Sequence, residues 1–284
     1  MEWIERLNQS IQFIEEHLTD ELDPEQLGRI ACCSSYHYQR MFAYLAGIPL
    51  AEYVRRRKMS LAAVDLQGGT ERIVDIAEKY GYRSPTAFNR AFQAFHGIAP
   101  SFVKDEGVSV NSFSPIVFRI TIKGATEMNY RIETKEAFRV IGISSPLDRE
   151  IENNFRVVPK MWQEAATNGT IQQLAGMMGA PPLGLLGVSA CNDAEQWKYF
   201  IAVSSTKKSE AFEEYIVPAS TWAIFSGTGS QASIQELERR IIAEWLPASG
   251  YEYADAPDIE VYLNPDPQNA QYEVWIPVTK KKGM

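Results

Sequence analysis

Two short stretches near the C-terminal end set carboxylates among aromatic rings at period two. In P-D-I-E-V-Y-L, Glu260 and Tyr262 share one side, opposite Ile259, Val261 and Leu263. In Y-E-V-W-I-P, Glu273 and Trp275 share a side, opposite Val274 and Ile276. Alternation of this kind is the signature of a strand. If both polar sides look the same way, two carboxylates and two aromatic rings wall a concave anionic pocket. Such a pocket suits a lipophilic cation, held by charge and by cation–π attraction. Trp162, Tyr199 and Trp222 are further candidate walls. The plainer alternative is the exposed face of a sheet, where Glu, Tyr and Trp are ordinary.

A second set of side chains suits nucleic acid. Between Ile76 and Pro100 the chain reads as helix, turn, helix, with Gly81 breaking the first helix. Ser84 is placed as an N-cap and Pro85 at the first helical position. Phe88, Phe92 and Phe95 form an inward stripe, leaving Thr86, Asn89, Arg90 and Gln93 on other faces. Those groups match base edges and phosphates in a major groove, or simply make a solvated helix face. The unit has an earlier copy. Q-R-M-F at 39–42 precedes N-R-A-F at 89–92 by fifty positions, Gly47-Ile48 precedes Gly97-Ile98 by fifty, and Ile30-Ala31 precedes Ile76-Ala77 by forty-six. In the earlier copy Tyr38, Phe42 and Leu45 form the stripe. Tyr36, His37, Gln39, Arg40 and Ala43 are left to face outward or flank it. A duplicated helix-turn-helix argues for DNA more strongly than either copy alone.

These groups need elements to hold them. Trp3, Ile4, Leu7, Ile11, Ile14 and Leu18 predict an amphipathic helix over 2–18. Asp23-Pro24-Glu25 starts a second helix, and Ser34 or Ser35 caps the third. A linker helix from about Pro49 to Leu66 spans roughly 25–27 Å. It can set two reading helices about one DNA turn (~34 Å) apart. Arg55, Arg56, Arg57 and Lys58 point around it, so only one or two can meet phosphate. The run 116–122 alternates like a strand and predicts a connecting strand or hairpin over 113–127. Beyond it, strands are predicted at 129–134, 138–143, 185–190, 198–204, 221–226, 258–263 and 272–277. Helices are predicted at about 151–167, 170–177 and 231–245, with a short one at 208–213.

The chain has 284 residues, 45% hydrophobic, enough for two packed domains. No apolar run approaches the roughly 18–20 residues of a membrane span, and the acidic start is unlike a secretory signal. Three Cys, two of them adjacent, give neither a disulfide framework nor a metal spacing. No cofactor signature is present, and the expected compartment is the cytoplasm. The net charge is −8, yet Pro24 to Lys104 carries eleven bases against six acids, a net +5. The basic segment is a local footprint for DNA inside an acidic chain.

Residues from about 5 to 106 resemble the DNA-binding domain of the AraC/XylS family, through both helix-turn-helix units, the linker helix and the closing G-I-A-P-S-F. The resemblance implies DNA contacts by Tyr36, Gln39 and Arg40 in the first unit and by Thr86 and Arg90 in the second. Pro85 replaces a polar contact residue of some members, so readout by the second helix is expected to be the weaker. Residues 128–282 resemble a gyrase-inhibitor-like effector-binding domain, through R-V-I-G-I, the helix with Pro159 and Trp162, W-A-I-F-S-G-x-G, E-W-L-P-x-S-G-Y, P-D-I-E-V-Y and E-V-W-I-P-V. That fold is a pair of βαββ repeats around a ligand groove. Its ligand-binding members meet aromatic or cationic compounds with a buried strand Glu, here Glu260. Glu273 is a second candidate, with Tyr262 and Trp275 as walls.

The expected protein is therefore multi-domain. An all-α DNA-binding domain (1–107) carries two helix-turn-helix units joined by a linker helix. A linker (108–127) leads to an α+β effector-binding domain (128–284) of two βαββ repeats. Its expected partners are double-stranded DNA at two adjacent major-groove segments, a small-molecule effector and RNA polymerase. The resemblance implies an activator, in the company of drug and stress regulators. Two alternatives stand behind this reading. One is a Glu260-dependent hydrolase, disfavoured by the lack of any evident Ser/His/Asp or Cys/His set. The other is a DNA binder whose C-terminal half has lost its ligand.

Overall fold

The computed structural model describes residues 2–119, 127–148, 151–191, 197–264 and 269–281. Six helices come first: α1 (Glu2–Glu16), α2 (Pro24–Ala31), α3 (Ser35–Ala46), α4 (Leu50–Gly68), α5 (Ile73–Lys79) and α6 (Pro85–His96). Their ends follow from local chemistry. Asp23, Ser34 and Ser84 each accept a backbone N–H at an N-cap, and Gly47 and Gly97 close α3 and α6 in the left-handed region. Ser34, not Ser35, is the cap of α3. The linker helix α4 runs two residues beyond its expected end.

The segment 108–119 contains no strand, against the expectation from its alternation; residues 120–126 of the expected hairpin lie outside the described residues. It runs as an extended strap on the helices. Phe118 N–H donates to Asn8 Oδ1 at 2.8 Å, and Asn8 returns a bond to Phe118 O at 3.0 Å. Ile116 N–H donates to Tyr53 Oη. Side chains of α1 and α4 thus satisfy the strap's backbone, so no partner strand is needed.

The second half is an antiparallel sheet with helices. Its elements are β1 (Tyr130–Lys135), β2 (Phe138–Pro146), α7 (Ile151–Thr167), α8 (Thr170–Met177), β3 (Leu185–Cys191), β4 (Trp197–Ser204), β5 (Glu213–Val217), β6 (Ser220–Gly229), α9 (Gln231–Arg240), β7 (Tyr251–Tyr253), β8 (Asp258–Tyr262) and β9 (Ala270–Lys280). Helix α9 continues into a wider turn at Ile241–Trp245. The strand order is β1-β6-β9-β8-β3-β4-β2-β5, with β7 pairing to β9. All seven expected strands are present. The short helix expected at 208–213 is absent: that stretch bends and enters β5, an edge strand. β5 and the three-residue β7 carry too little alternation to be read from sequence.

Three apolar groups decide where the site sits. Met59, Ala62 and Leu66 of α4 pack with Ile76, Phe88 and Phe92 in a core private to the second helix-turn-helix. Val188, Phe200, Trp222, Ile259 and Trp275 lie together on one face of the sheet. On the other face, Phe225, Tyr272, Val274 and Trp245 form one continuous core with Leu7, Leu27, Phe42 and their neighbours in α1–α3. The first helix-turn-helix therefore shares a core with the sheet, whereas the second does not.

Candidate functional site

Strand β8 lies near the middle of the sheet, between β3 and β9. Asp258, Glu260 and Tyr262 occupy alternate positions and face the helix-covered side. Gly187 of β3 sits directly opposite Glu260. A Cβ there would fall within 2.8 Å of Glu260 Oε2 and closer still to Tyr199 Oη, so only glycine leaves room for the carboxylate. Tyr199 enters from β4 and Trp162 from α7. Trp162 Nε1 donates to Tyr199 Oη at 2.9 Å; Tyr199 Oη donates to Glu260 Oε2 at 3.1 Å; Tyr262 Oη donates to the same oxygen at 2.8 Å. Trp162 meets the Tyr262 ring edge-to-face at 5.0 Å. Four of the seven expected ligand residues, Trp162, Tyr199, Glu260 and Tyr262, thus converge on one cavity of about 100 Å³.

The other three do not. Ile259 pairs with Trp275, Glu260 with Val274, and Val261 with Glu273. Directly opposed residues share a face, so Glu273 and Trp275 point away from Glu260. Trp275 packs against Trp222 at 6.1 Å on the far side of the sheet. Glu273 forms an ion pair with Arg131 at 2.9 Å and accepts from Trp275 Nε1 at 2.8 Å. The expectation of a two-carboxylate wall from Glu260 and Glu273 is corrected by the register. Alternation fixes parity within a strand, not between strands.

The second carboxylates of the site are Glu238 of α9 and Asp258. Burial pushes the Glu260 carboxyl up to about 7, helped by Glu238 and opposed by Arg40 and the two tyrosine hydroxyls. Glu260 is half-buried, and what surface it keeps opens into the cavity. The tyrosines that donate to it are held well above their usual range, chiefly by burial, so they remain donors. Asp258 would be raised by burial but is held below its usual range by His37 and Arg40.

The remaining wall comes from α3. Tyr36, Arg40 and Tyr44 line the cavity with the β8 residues. Arg40 Nη1 donates to Asp258 Oδ2 at 2.9 Å, and its Nη2 pairs with Glu238. Tyr44 Oη donates to Glu238 Oε2 at 2.5 Å. Tyr36 Oη donates to Ser189 Oγ at 3.0 Å and packs edge-on against Trp197. His37 stacks on Tyr253 with Nε2 3.3 Å from Asp258 Oδ1. Of the two positions expected for Tyr36, His37, Gln39 and Arg40, facing outward or flanking the stripe, the outward one is corrected. Gln39 is 6% exposed and Arg40 8%. The Gln39 amide nitrogen is buried without a hydrogen-bond partner among the described residues.

Helix α6 is the converse case. Thr86 and Arg90, with Asn89 and Gln93, are exposed, while Phe88 and Phe92 are buried as expected. The basic run on α4 is spent within the protein: Arg55 and Arg56 pair with Glu52, Arg57 with Glu15, and Lys58 donates to Tyr80 O.

Sequence reading passed over Asp258, Glu238, Gly187, Ser189 and Tyr44. Asp258 was accessible to it, two positions before Glu260 on the same side of β8. Glu238 was not, since nothing in α9 alone marks which acid turns inward.

An α-helical array with a duplicated helix-turn-helix is joined to a sheet that sets a carboxylate in a cavity. A model of the GyrI-like small molecule binding domain matches residues 128–279, and a helix-turn-helix domain model matches residues 27–106. The chain is 35% identical over 98 residues to the HTH-type transcriptional activator AarP of Providencia stuartii, covering 34% of this chain and 73% of AarP. It is 33% identical over 90 residues to the multiple antibiotic resistance protein MarA of Escherichia coli (strain K12), covering 32% of this chain and 71% of MarA. The structure of SAV2435 bound to tetraphenylphosphonium is similar at a TM-score of 0.46 and 18% identity, over 54% of this chain and 94% of that one. This chain belongs to the AraC-type helix-turn-helix transcription regulators and carries a GyrI-like small-molecule binding domain. Among the described residues, no helix is long and apolar enough to cross a membrane.

Proposed function

We propose that this regulator is a cytoplasmic activator that reads two adjacent major-groove segments with α3 and α6 and answers to a lipophilic cation bound at Glu260. Residues 1–107 form the reading unit and 128–284 the sensing unit. The sensing unit divides into two βαββ repeats, β2-α7-β3-β4 and β6-α9-β8-β9, with Glu260 beside their junction. The base contacts are Tyr36, Gln39 and Arg40 from α3 and Thr86 and Arg90 from α6. RNA polymerase is the protein partner. The name of AarP as a transcriptional activator supports the sign.

One observation carries the ligand class. Glu260 is enclosed by Trp162, Tyr199 and Tyr262, and the hydrogen bonds it accepts come from two hydroxyls. It has no ion pair among the described residues. A carboxylate enclosed by rings and lacking a dedicated counter-charge favours a cation with apolar surface. The test is thermal unfolding of the full chain with tetraphenylphosphonium. A ligand that binds only the folded state raises the midpoint. Wild type is expected to shift and Glu260→Gln to stay put. The absence of a shift in wild type across a series of lipophilic cations contradicts the reading.

A carboxyl near neutrality beside Tyr262 Oη is also the geometry of a general acid or base. Sensing is preferred because, among the described residues, the cavity lining holds Ser189 with no histidine to activate it and no cysteine. Turnover of such a cation by the full chain, lost in Glu260→Gln, would reverse this preference.

A further inference from the structure

We propose that α3 serves two sites in turn: docked, it closes the ligand pocket; released, it reads DNA, so that cation and duplex both select the released state. The inference rests on the DNA-reading role proposed above for Tyr36, Gln39 and Arg40.

The geometry makes the two roles exclusive. Arg40 is engaged by Asp258 and Glu238, and Tyr36 by Ser189, all from the sensing half. None of these side chains can reach a base edge while so bound. The docked position is also an imperfect home for a reading helix. Gln39 is buried with its amide nitrogen unpartnered among the described residues, an arrangement that costs free energy and is relieved on release. Its amide could pair with an adenine edge in a groove.

The same contacts restrict the pocket. The cavity of about 100 Å³ is well short of the roughly 300–1,000 Å³ that drug-sized ligands fill. Tyr36, Arg40 and Tyr44 form its α3 wall. Withdrawal of α3 opens that wall and removes a guanidinium that repels any incoming cation. It also frees Glu238 and Asp258, adding two carboxylates to Glu260. Arg40 thus acts as a built-in surrogate for the ligand's charge. A cation that needs the open pocket must stabilise the released helix, and by linkage the DNA-bound form.

Weakening the sensing-side contacts leaves α3 itself untouched. A duplex is enriched from a randomised pool on the full-length wild-type chain. Its affinity is then measured for wild type, Glu238→Gln/Asp258→Asn and the gentler Ser189→Ala, which removes only the acceptor of Tyr36. The double variant is expected to bind at least tenfold more tightly, and Ser189→Ala about fivefold. Amide hydrogen exchange over residues 35–46 is expected to accelerate in both variants, and in wild type on adding tetraphenylphosphonium. Equal DNA affinity in all three chains, with unchanged exchange in that helix, overturns the shared helix and leaves the DNA-binding reading standing. Failure of every chain to retain any duplex overturns both.

Discussion

Arg40 Nη1 on α3 donates to Asp258 Oδ2 on β8 at 2.9 Å, joining positions 218 residues apart. The bond ties the helix that sequence assigns to DNA to the strand that sequence assigns to a ligand. Burial opposes the charge on Arg40, yet Glu238 above all, with Asp258, holds the guanidinium firmly protonated.

This burial separates the two arginines of the repeated motif. Arg40→Ala leaves Asp258 and Glu238 as buried carboxylates without their cation, a loss of about 3–5 kcal/mol in stability. Arg90→Ala, on an exposed face, is expected to change stability by no more than about 0.5 kcal/mol. Its effect falls on DNA binding, at about 1–3 kcal/mol. Urea denaturation of both variants, beside their duplex affinities, checks the contrast.

Glu260 gives a pH signature. Its carboxyl titrates near 7 in the folded chain, against 4.5 for the ordinary group. A cation binds the ionised form, so affinity should be constant above pH 7 and fall about tenfold per unit below it. Between the two values the folded chain holds a proton that the unfolded chain has released. The contribution of Glu260 to stability therefore declines as pH rises from 4.5 to 7. Thermal midpoints of wild type and Glu260→Gln should diverge from pH 5 to pH 8, the Gln variant becoming relatively more stable.

Gly187→Ala tests the floor of the pocket. The added methyl group collides with Tyr199 Oη and Glu260 Oε2. Cation affinity measured by calorimetry should drop at least tenfold. Arg40, Asp258 and Glu238 are untouched, so the chain should still fold with α3 docked.

Much of this architecture was legible in the residues. Helix starts at Asp23, Ser34 and Ser84 are written in capping chemistry, and the fifty-residue repeat exposes the two motifs. Period-two alternation located β8 and β9 and put Glu260 and Tyr262 on one side. It was silent on how the two strands register, and so placed Glu273 and Trp275 in the wrong wall. The burial of that α3 face is hidden from the sequence for a different reason. Tyr36, Gln39 and Arg40 are polar enough to stand in water, and only partners from α9, β3 and β8, some 150 to 220 positions away, turn that face inward. Long-range pairing of this kind leaves no periodic trace.

The misplaced tryptophan makes a control. Trp275 is buried against Trp222 on the face away from Glu260. Trp275→Ala should cost about 3–5 kcal/mol in stability through the cavity it leaves. At a temperature where the variant remains folded, its cation affinity should match wild type within about twofold, as judged by calorimetry.

The most direct test of the account is the duplex affinity of the full-length wild-type chain, titrated with and without saturating tetraphenylphosphonium. If the cation and DNA select the same released α3, the cation tightens duplex binding, and the duplex tightens cation binding by the same factor. Duplex binding that the bound cation leaves unchanged, or weakens, contradicts it.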